Sequence, residues 1–158
     1  MTTAQYHIEP TLLNPVVTGL NQLVAESYGL MGQLHLAHWN IEGTDILTLH
    51  EMFQTQYEEL FQAIDDLAER VRALGSYAEG GLKRLASMST ISEGPTATQS
   101  SAKDFISSII LGHETLVASA LETRKLAAEA GDCETEDLLI ARIQVHQKAI
   151  WFLQSYLK

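Results

Sequence analysis

Apolar side chains recur along most of this chain at steps of three and four, the period of a helix lying on a core. A first stripe runs Leu13, Val16, Leu20, Leu23, Ser27, Leu30, Leu34 and His38. It ends near Asn40-Ile41-Glu42-Gly43, where Gly43 serves as a stop and Thr44 or Asp45 as the next N-cap. A second stripe, Ile46, Leu49, Phe53, Leu60, Ile64, Leu67, Val71 and Leu74, closes at Gly75. From Ser76 to Ser100 the chain turns polar and glycine-bearing, with a short helix expected around Leu82 to Ala86. A third long helix starts at Ser101, carries Phe105, Ile109, Leu116 and Leu121, and stops at Gly131. The fourth begins near Glu134 and carries Leu139, Ile143, His146, Ile150, Leu153 and Leu157.

Four long amphipathic helices with one long connection, between the second and third, predict an all-α four-helix bundle whose crossover carries a short helix. That is the ferritin-like topology, since a bundle with only short loops needs no such connection. The chain is expected to form a single domain over residues 1–158, with residues 1–10 as a short tail. Proline is confined to positions 10, 15 and 95, which leaves long stretches free for helix.

Charge narrows the partners. Twenty acidic residues against ten basic ones give a formal net charge of −10, which repels nucleic acid, because phosphate binding needs clustered Lys and Arg. Solubility alone explains such an excess, but it also suits a protein that attracts cations. The apolar runs are short, Ile109-Ile110-Leu111 being typical, so no segment is expected to span a bilayer. The first ten residues lack the basic and apolar regions of a secretory signal. Cys133, the only cysteine, forms no internal disulfide, which suits a reducing cytoplasm.

The second helix bears another stripe: His50, Gln54, Tyr57, Phe61, Asp65 and Glu69. A core face needs no His, Asp or Glu, and a solvated face needs no Tyr or Phe. The mixture fits an interface that encloses polar groups. Asp65 and Glu69, four apart, can reach one cation. His50 lies fifteen residues before Asp65, about 22 Å along a helix, so the two cannot share a metal within one chain. Two copies of the helix packed antiparallel about a two-fold axis would bring His50 of one to Asp65 and Glu69 of the other, twice over. His38 closes the first helix and should meet His50 at one level across the turn near Gly43. Imidazole with carboxylate suits iron, zinc or manganese, and the lack of sulfur argues against a thiolate-loving metal.

The runs His38-Trp39-Asn40-Ile41-Glu42-Gly43, Leu49-His50-Glu51-Met52-Phe53 and Asp65-Asp66-Leu67-Ala68-Glu69-Arg70 resemble the Dps mini-ferritins. The likeness is specific over residues 38–75, and His146-Gln147-Lys148-Ala149-Ile150-Trp151 is similar to the family's last helix. The resemblance implies a hollow homo-oligomeric shell of twelve subunits that stores iron and protects against oxidative stress. It implies ferroxidase sites at the two-fold interfaces, with hydrogen peroxide as the usual oxidant and oxygen as the other. By position, His38 and His50 match the histidine ligands, and Asp65 and Glu69 match the carboxylates from the neighbouring subunit. One position departs: four residues after the second histidine the family usually has aspartate, and here stands Gln54. The loss of an anionic ligand is expected to lower iron affinity, slow oxidation or let zinc compete. His146, on the apolar stripe of the last helix, is the candidate replacement; His35, one turn before His38, is a weaker one.

Taken singly, His38 and His50 read as hydrogen-bonded structural histidines, and Asp65 and Glu69 as members of surface ion pairs. The joint agreement of phase, spacing and interface character favours ligands. Two competing functions are a DNA-condensing stress protein and a metal-free structural cage. The first lacks its usual basic tail, because Met1 to Pro10 holds no Lys or Arg. A ferritin with its site inside one bundle would use Glu-x-x-His pairs, and no Glu stands three residues before any of the six histidines.

Overall fold

The computed structural model describes residues 8–98 and 100–158. Those residues form α1 (Pro10–Asn40), α2 (Ile46–Ala73), α3 (Leu82–Met88), α4 (Ala102–Ala130) and α5 (Cys133–Tyr156). Helices α1 and α2 form one antiparallel hairpin, α4 and α5 a second, and α1 packs on α4 to join them. The crossover with α3 runs along α1, whereas the α2 and α5 backbones seldom approach and the two helices meet mainly through long side chains. The tail expected over residues 1–10 falls mostly outside the described residues, and Pro10 is already the first residue of α1.

The core follows the stripes read from sequence. Val16, Leu20, Leu23, Leu30 and Leu34 of α1 are buried against Leu49, Phe53, Leu60, Leu67 and Val71 of α2 and Phe105, Ile109 and Leu116 of α4. Leu121 and Ile46 depart from expectation and are exposed. On α4 the three-and-four step continues from Leu116 through Ala120, Thr123 and Ala127, all buried, so Leu121 falls on the outer face. Gly112 lets α1 and α4 approach: an added Cβ would sit 2.7 Å from Leu30 Cδ1.

Helix α4 also corrects one expectation, for it is long and apolar enough to cross a bilayer. Its apolar residues serve the bundle instead: Phe105, Ile106, Ile109, Ile110 and Leu116 are buried among the other helices.

The helix ends are chemically specified. Ser101 and Asp104 form a reciprocal capping box at the start of α4, and the two bonds from Ser101 hold the Asp104 carboxyl below its ordinary pKa. At the other end Gly131 adopts a left-handed conformation, φ 72°, which spares the chain the Cβ clash that other residues meet there. Asp132 follows directly, accepting hydrogen bonds from Thr135 N at 3.1 Å and Thr135 Oγ1 at 2.5 Å. Arg70, near the end of α2, reaches across to Asp132 Oδ1 at 2.5 Å and Thr135 Oγ1 at 2.7 Å. One guanidinium thus ties α2 to the turn between α4 and α5.

The crossover is held by polar side chains of α1. Asn21 Oδ1 accepts from Glu79 N (2.8 Å), Gln22 Nε2 donates to Met88 O (2.9 Å), and Glu26 Oε1 accepts from Thr90 Oγ1 (2.7 Å). Gln33 Nε2 donates to Ser92 O. Each bond satisfies a polar group that would otherwise be lost under the crossover.

The Arg70–Asp132 pair yields a test. Asp132→Ala strips the carboxylate from a nearly buried guanidinium and the cap from α5, a change expected to cost about 3 kcal/mol or more. Urea denaturation at fixed protein concentration should show a clearly lowered midpoint, and an unchanged midpoint would show that the clamp contributes nothing.

Candidate metal centre

The turn over residues 41–45 reverses the chain so that the last turn of α1 lies beside the first turns of α2. His38 and His50 meet there as a stacked pair, with ring centroids 3.6 Å apart and an interplanar angle of 22°. Their hydrogen bonds are reciprocal. His38 Nδ1 lies 2.9 Å from His50 O, and His50 Nδ1 lies 2.8 Å from His38 O. A carbonyl only accepts, so each Nδ1 carries a proton and Nε2 is the ring atom left for any ligand. The bond to His38 O also satisfies one of the carbonyls that a helix leaves orphaned at its C-terminus. Locking the tautomer through Nδ1 is the arrangement metal-ligating histidines require of their supporting groups.

Around the pair, Tyr57 meets His38 edge-on at 5.3 Å. His35 lies 4.4 Å from Tyr57 and stacks on Trp39 at 5.3 Å. Burial, and then the charge of His38, hold His35 below its ordinary pKa. Gln54 does not turn toward the histidines. Its Nε2 donates to Glu58 Oε1 at 2.7 Å.

Asp65 and Glu69 are exposed, further along the same face of α2. Asp65 opens on a recess of about 330 Å³ lined by Tyr28, Phe61, Glu79, Gly80 and Gly81. Within the chain these carboxylates stand apart from the histidine pair, as the rise of α2 demands. Among the described residues, no group of three His, Cys, Asp or Glu side chains converges on one point. The stripe containing them is left open, with Phe61 70% exposed, as is Trp39 near the end of α1.

His146 is placed elsewhere and is not brought to His38 and His50. Its Nδ1 lies 2.9 Å from His113 Nδ1, and its Nε2 lies 3.4 Å from Arg142 Nη2. Arg142 only donates, so His146 Nε2 accepts and its proton sits on Nδ1. That proton is donated to His113 Nδ1, which leaves His113 protonated on Nε2 and donating to Gln56 Oε1 at 3.0 Å. Glu59 closes the far end by pairing with both Arg142 Nη atoms. Both imidazoles are neutral in this chain of bonds, and both nitrogens of His146 are engaged. The expectation that His146 replaces the ligand missing at Gln54 therefore finds no geometric support here. His113, uninformative by itself in the sequence, carried one signal: it stands in phase with Ile109 and Leu116 on the buried face of α4.

Comparison with known proteins gives the same architecture. Residues 17–158 match the ferritin-like domain family. The chain is 34% identical over 139 residues to the DNA protection during starvation protein of Brevibacillus brevis, spanning 88% of this chain and 92% of that protein. It superposes on Dps from Thermosynechococcus elongatus with a TM-score of 0.89 at 30% identity, covering 94% of this chain and 93% of the other. It also superposes on a Dps protein from Vibrio cholerae O1, described as a member of a broad superfamily of ferritin-like diiron-carboxylate proteins. That match has a TM-score of 0.91 at 26% identity and covers 100% of this chain and 98% of the other.

The buried imidazole pair sets an acid limit on stability. Burial, and then the charge of Arg142, lower His113 from 6.5 to about 4. Burial, then His113 and then Arg142, hold His146 well below 6.5. The unfolded chain takes up these protons near pH 6.5 while the fold refuses them, so stability is fully present above that pH. It is lost as pH falls, and the His113 share levels off near pH 4. Denaturation midpoints measured across this window should drop more for the native chain than for a His113→Phe/His146→Leu variant. Equal slopes would show that the pair carries no linkage.

Proposed function

The chain belongs to the Dps family of ferritin-like proteins, and from that premise we propose that it oxidises and stores iron inside a hollow twelve-subunit shell. Fe(II) binds between the Nε2 atoms of His38 and His50 on one subunit and the carboxylates of the partner's Asp65 and the partner's Glu69. A two-fold axis with antiparallel α2 helices supplies this arrangement twice. The observation that carries the reading is the reciprocal pair of Nδ1–H bonds to backbone carbonyls. It fixes the orientation of both rings, with Nδ1 donating to the backbone and Nε2 left for a ligand, before any metal arrives, so little reorganisation is needed on binding. The exposed stripe of α2, with its mixture of aromatic and acidic residues, supports a partner-covered face.

The chemistry follows from the ligands. Carboxylates stabilise Fe(III) more than Fe(II), which favours loss of an electron. Two Fe(II) each give one electron to hydrogen peroxide. Its O–O bond breaks and, with two protons, it leaves as two waters, so no hydroxyl radical is released. Oxygen is the alternative oxidant. The ferric product then mineralises on an acidic inner surface, an assignment the net charge of −10 favours. Gln54 provides an amide where an anion would strengthen Fe(III) binding, so this centre is expected to hold iron less tightly and to admit zinc more readily. With a single cysteine and a cage of this kind, the cytoplasm is the proposed compartment.

The name of the Brevibacillus relative invites a second activity, DNA binding. Here Met1 to Pro10 contains no Lys or Arg, and phosphate neutralisation has little to work with. Gel shifts at low salt should show no tight complex, and a tight complex there would overturn this assignment.

The site itself is tested by Asp65→Ala. Because Asp65 is exposed in the single chain, the fold should persist. Even an outer-shell partner of a metal ligand is worth 10–100-fold, so loss of a direct ligand should slow Fe(II) oxidation by about 100-fold or more. Stopped-flow absorbance with peroxide checks this, and native kinetics in the variant would remove Asp65 from the centre.

A further inference from the structure

A gap separates α2 from α5, because their backbones seldom approach. Arg142 spans it to reach both oxygens of Glu59. Beside that bridge opens a cavity of about 400 Å³. Met52 of α2 and Val145, Ala149 and Phe152 of α5 form its apolar wall. Small-molecule sites have this size and this make-up, an apolar lining with a few polar groups to fix orientation.

The polar groups at the cavity differ in what they have left to offer. Both ring nitrogens of His113 are used, Nδ1 by His146 and Nε2 by Gln56. Glu59 is neutralised by Arg142 through both of its oxygens. The Gln56 oxygen accepts from His113 at 3.0 Å, and among the described residues its Nε2 has no acceptor. Lys148 sets its ammonium 5.8 Å from the centre of the Phe152 ring. It pairs with no carboxylate among the described residues. Thr55 spends its hydroxyl proton on Glu51 O at 3.0 Å. The charge and the N–H bonds left unspent are therefore those of one ammonium and one amide, all of them donors. A cation meets no unpaired carboxylate here, and a wholly apolar guest would leave the donors unused.

We propose that this cavity binds a small amphipathic carboxylate. Its chain lies against Met52, Val145, Ala149 and Phe152, and its head group accepts from Lys148 and Gln56 Nε2. Bound there, the ligand bridges α2 and α5 and holds the Gln56 amide with its oxygen toward His113. The site is independent of the iron centre, because Met52, Gln56 and Glu59 fall on the side of α2 opposite His50, Tyr57 and Asp65.

Octanoate is the probe, titrated calorimetrically into the full-length assembled protein, with octanol as the uncharged comparison. The expected result is saturable binding of one octanoate per subunit, tighter than that of octanol. Lys148→Gln should weaken octanoate about three- to five-fold, the range of an exposed charge pair, and leave octanol unchanged. Val145 is 38% exposed, so Val145→Trp should keep the fold while filling the cavity and abolishing uptake of both. Circular dichroism and gel filtration check fold and assembly in each variant. No saturable octanoate binding by the native chain, or native affinity in Val145→Trp, would overturn the site. Octanol bound as tightly as octanoate, with no effect of Lys148→Gln, would overturn the carboxylate assignment.

Discussion

A continuous helix cannot bring together side chains four turns apart, and that rigidity governs this protein. Helix α2 runs unbroken from Ile46 to Ala73, so His50 and Asp65 stand about 22 Å apart along its axis at 1.5 Å per residue. Their chemistry is complementary and their separation is fixed. Under the proposed function only a second copy of α2, reversed, can complete the site. Assembly and catalysis would then share one surface, and the exposure of Phe61 and Trp39 in the single chain fits that economy.

The scaffold keeps this surface straight by fastening both ends of the bundle. At one end His38 and His50 exchange hydrogen bonds with each other's backbone, joining the last turn of α1 to the start of α2. At the other end Arg70 ties α2 to the α4–α5 turn through Asp132 and Thr135. Between them the polar residues Asn21, Gln22, Glu26 and Gln33 of α1 hold the crossover down. Each of these bonds uses a charged or polar group that burial would otherwise penalise.

The two histidine pairs of the fold differ in environment, and so in chemistry. His38 and His50 both bond through Nδ1 to carbonyls, which leaves both Nε2 atoms uncommitted to the backbone. His113 and His146 bond to each other, and their outer nitrogens end on Gln56 and Arg142. Under the proposed function the first pair is the one that takes a cation. The second is saturated, and the positive guanidinium beside it disfavours any added charge, proton or metal.

Much of this was legible in the amino-acid order. The spacing of Leu20, Leu23, Leu30 and Leu34, and of Phe53, Leu60 and Leu67, specified the helices and their buried faces, because burial repeats every three to four residues. Gly43, Gly75, Ser101 and Gly131 marked the ends through backbone and capping preferences that are local. The face holding His50, Asp65 and Glu69 was equally plain, since residues on one helix share a side by geometry alone. What one residue does among residues distant in sequence was decided only by the fold. His146 occupies an apolar phase in the sequence, and nothing local distinguishes a ligand from a partner of His113, thirty-three residues away. The contacts of the Tyr57 ring with His35 and His38, and the clamp of Arg70 on Asp132, are likewise tertiary. They depend on rotamers and contacts chosen after the helices have packed, and periodicity carries no information about either.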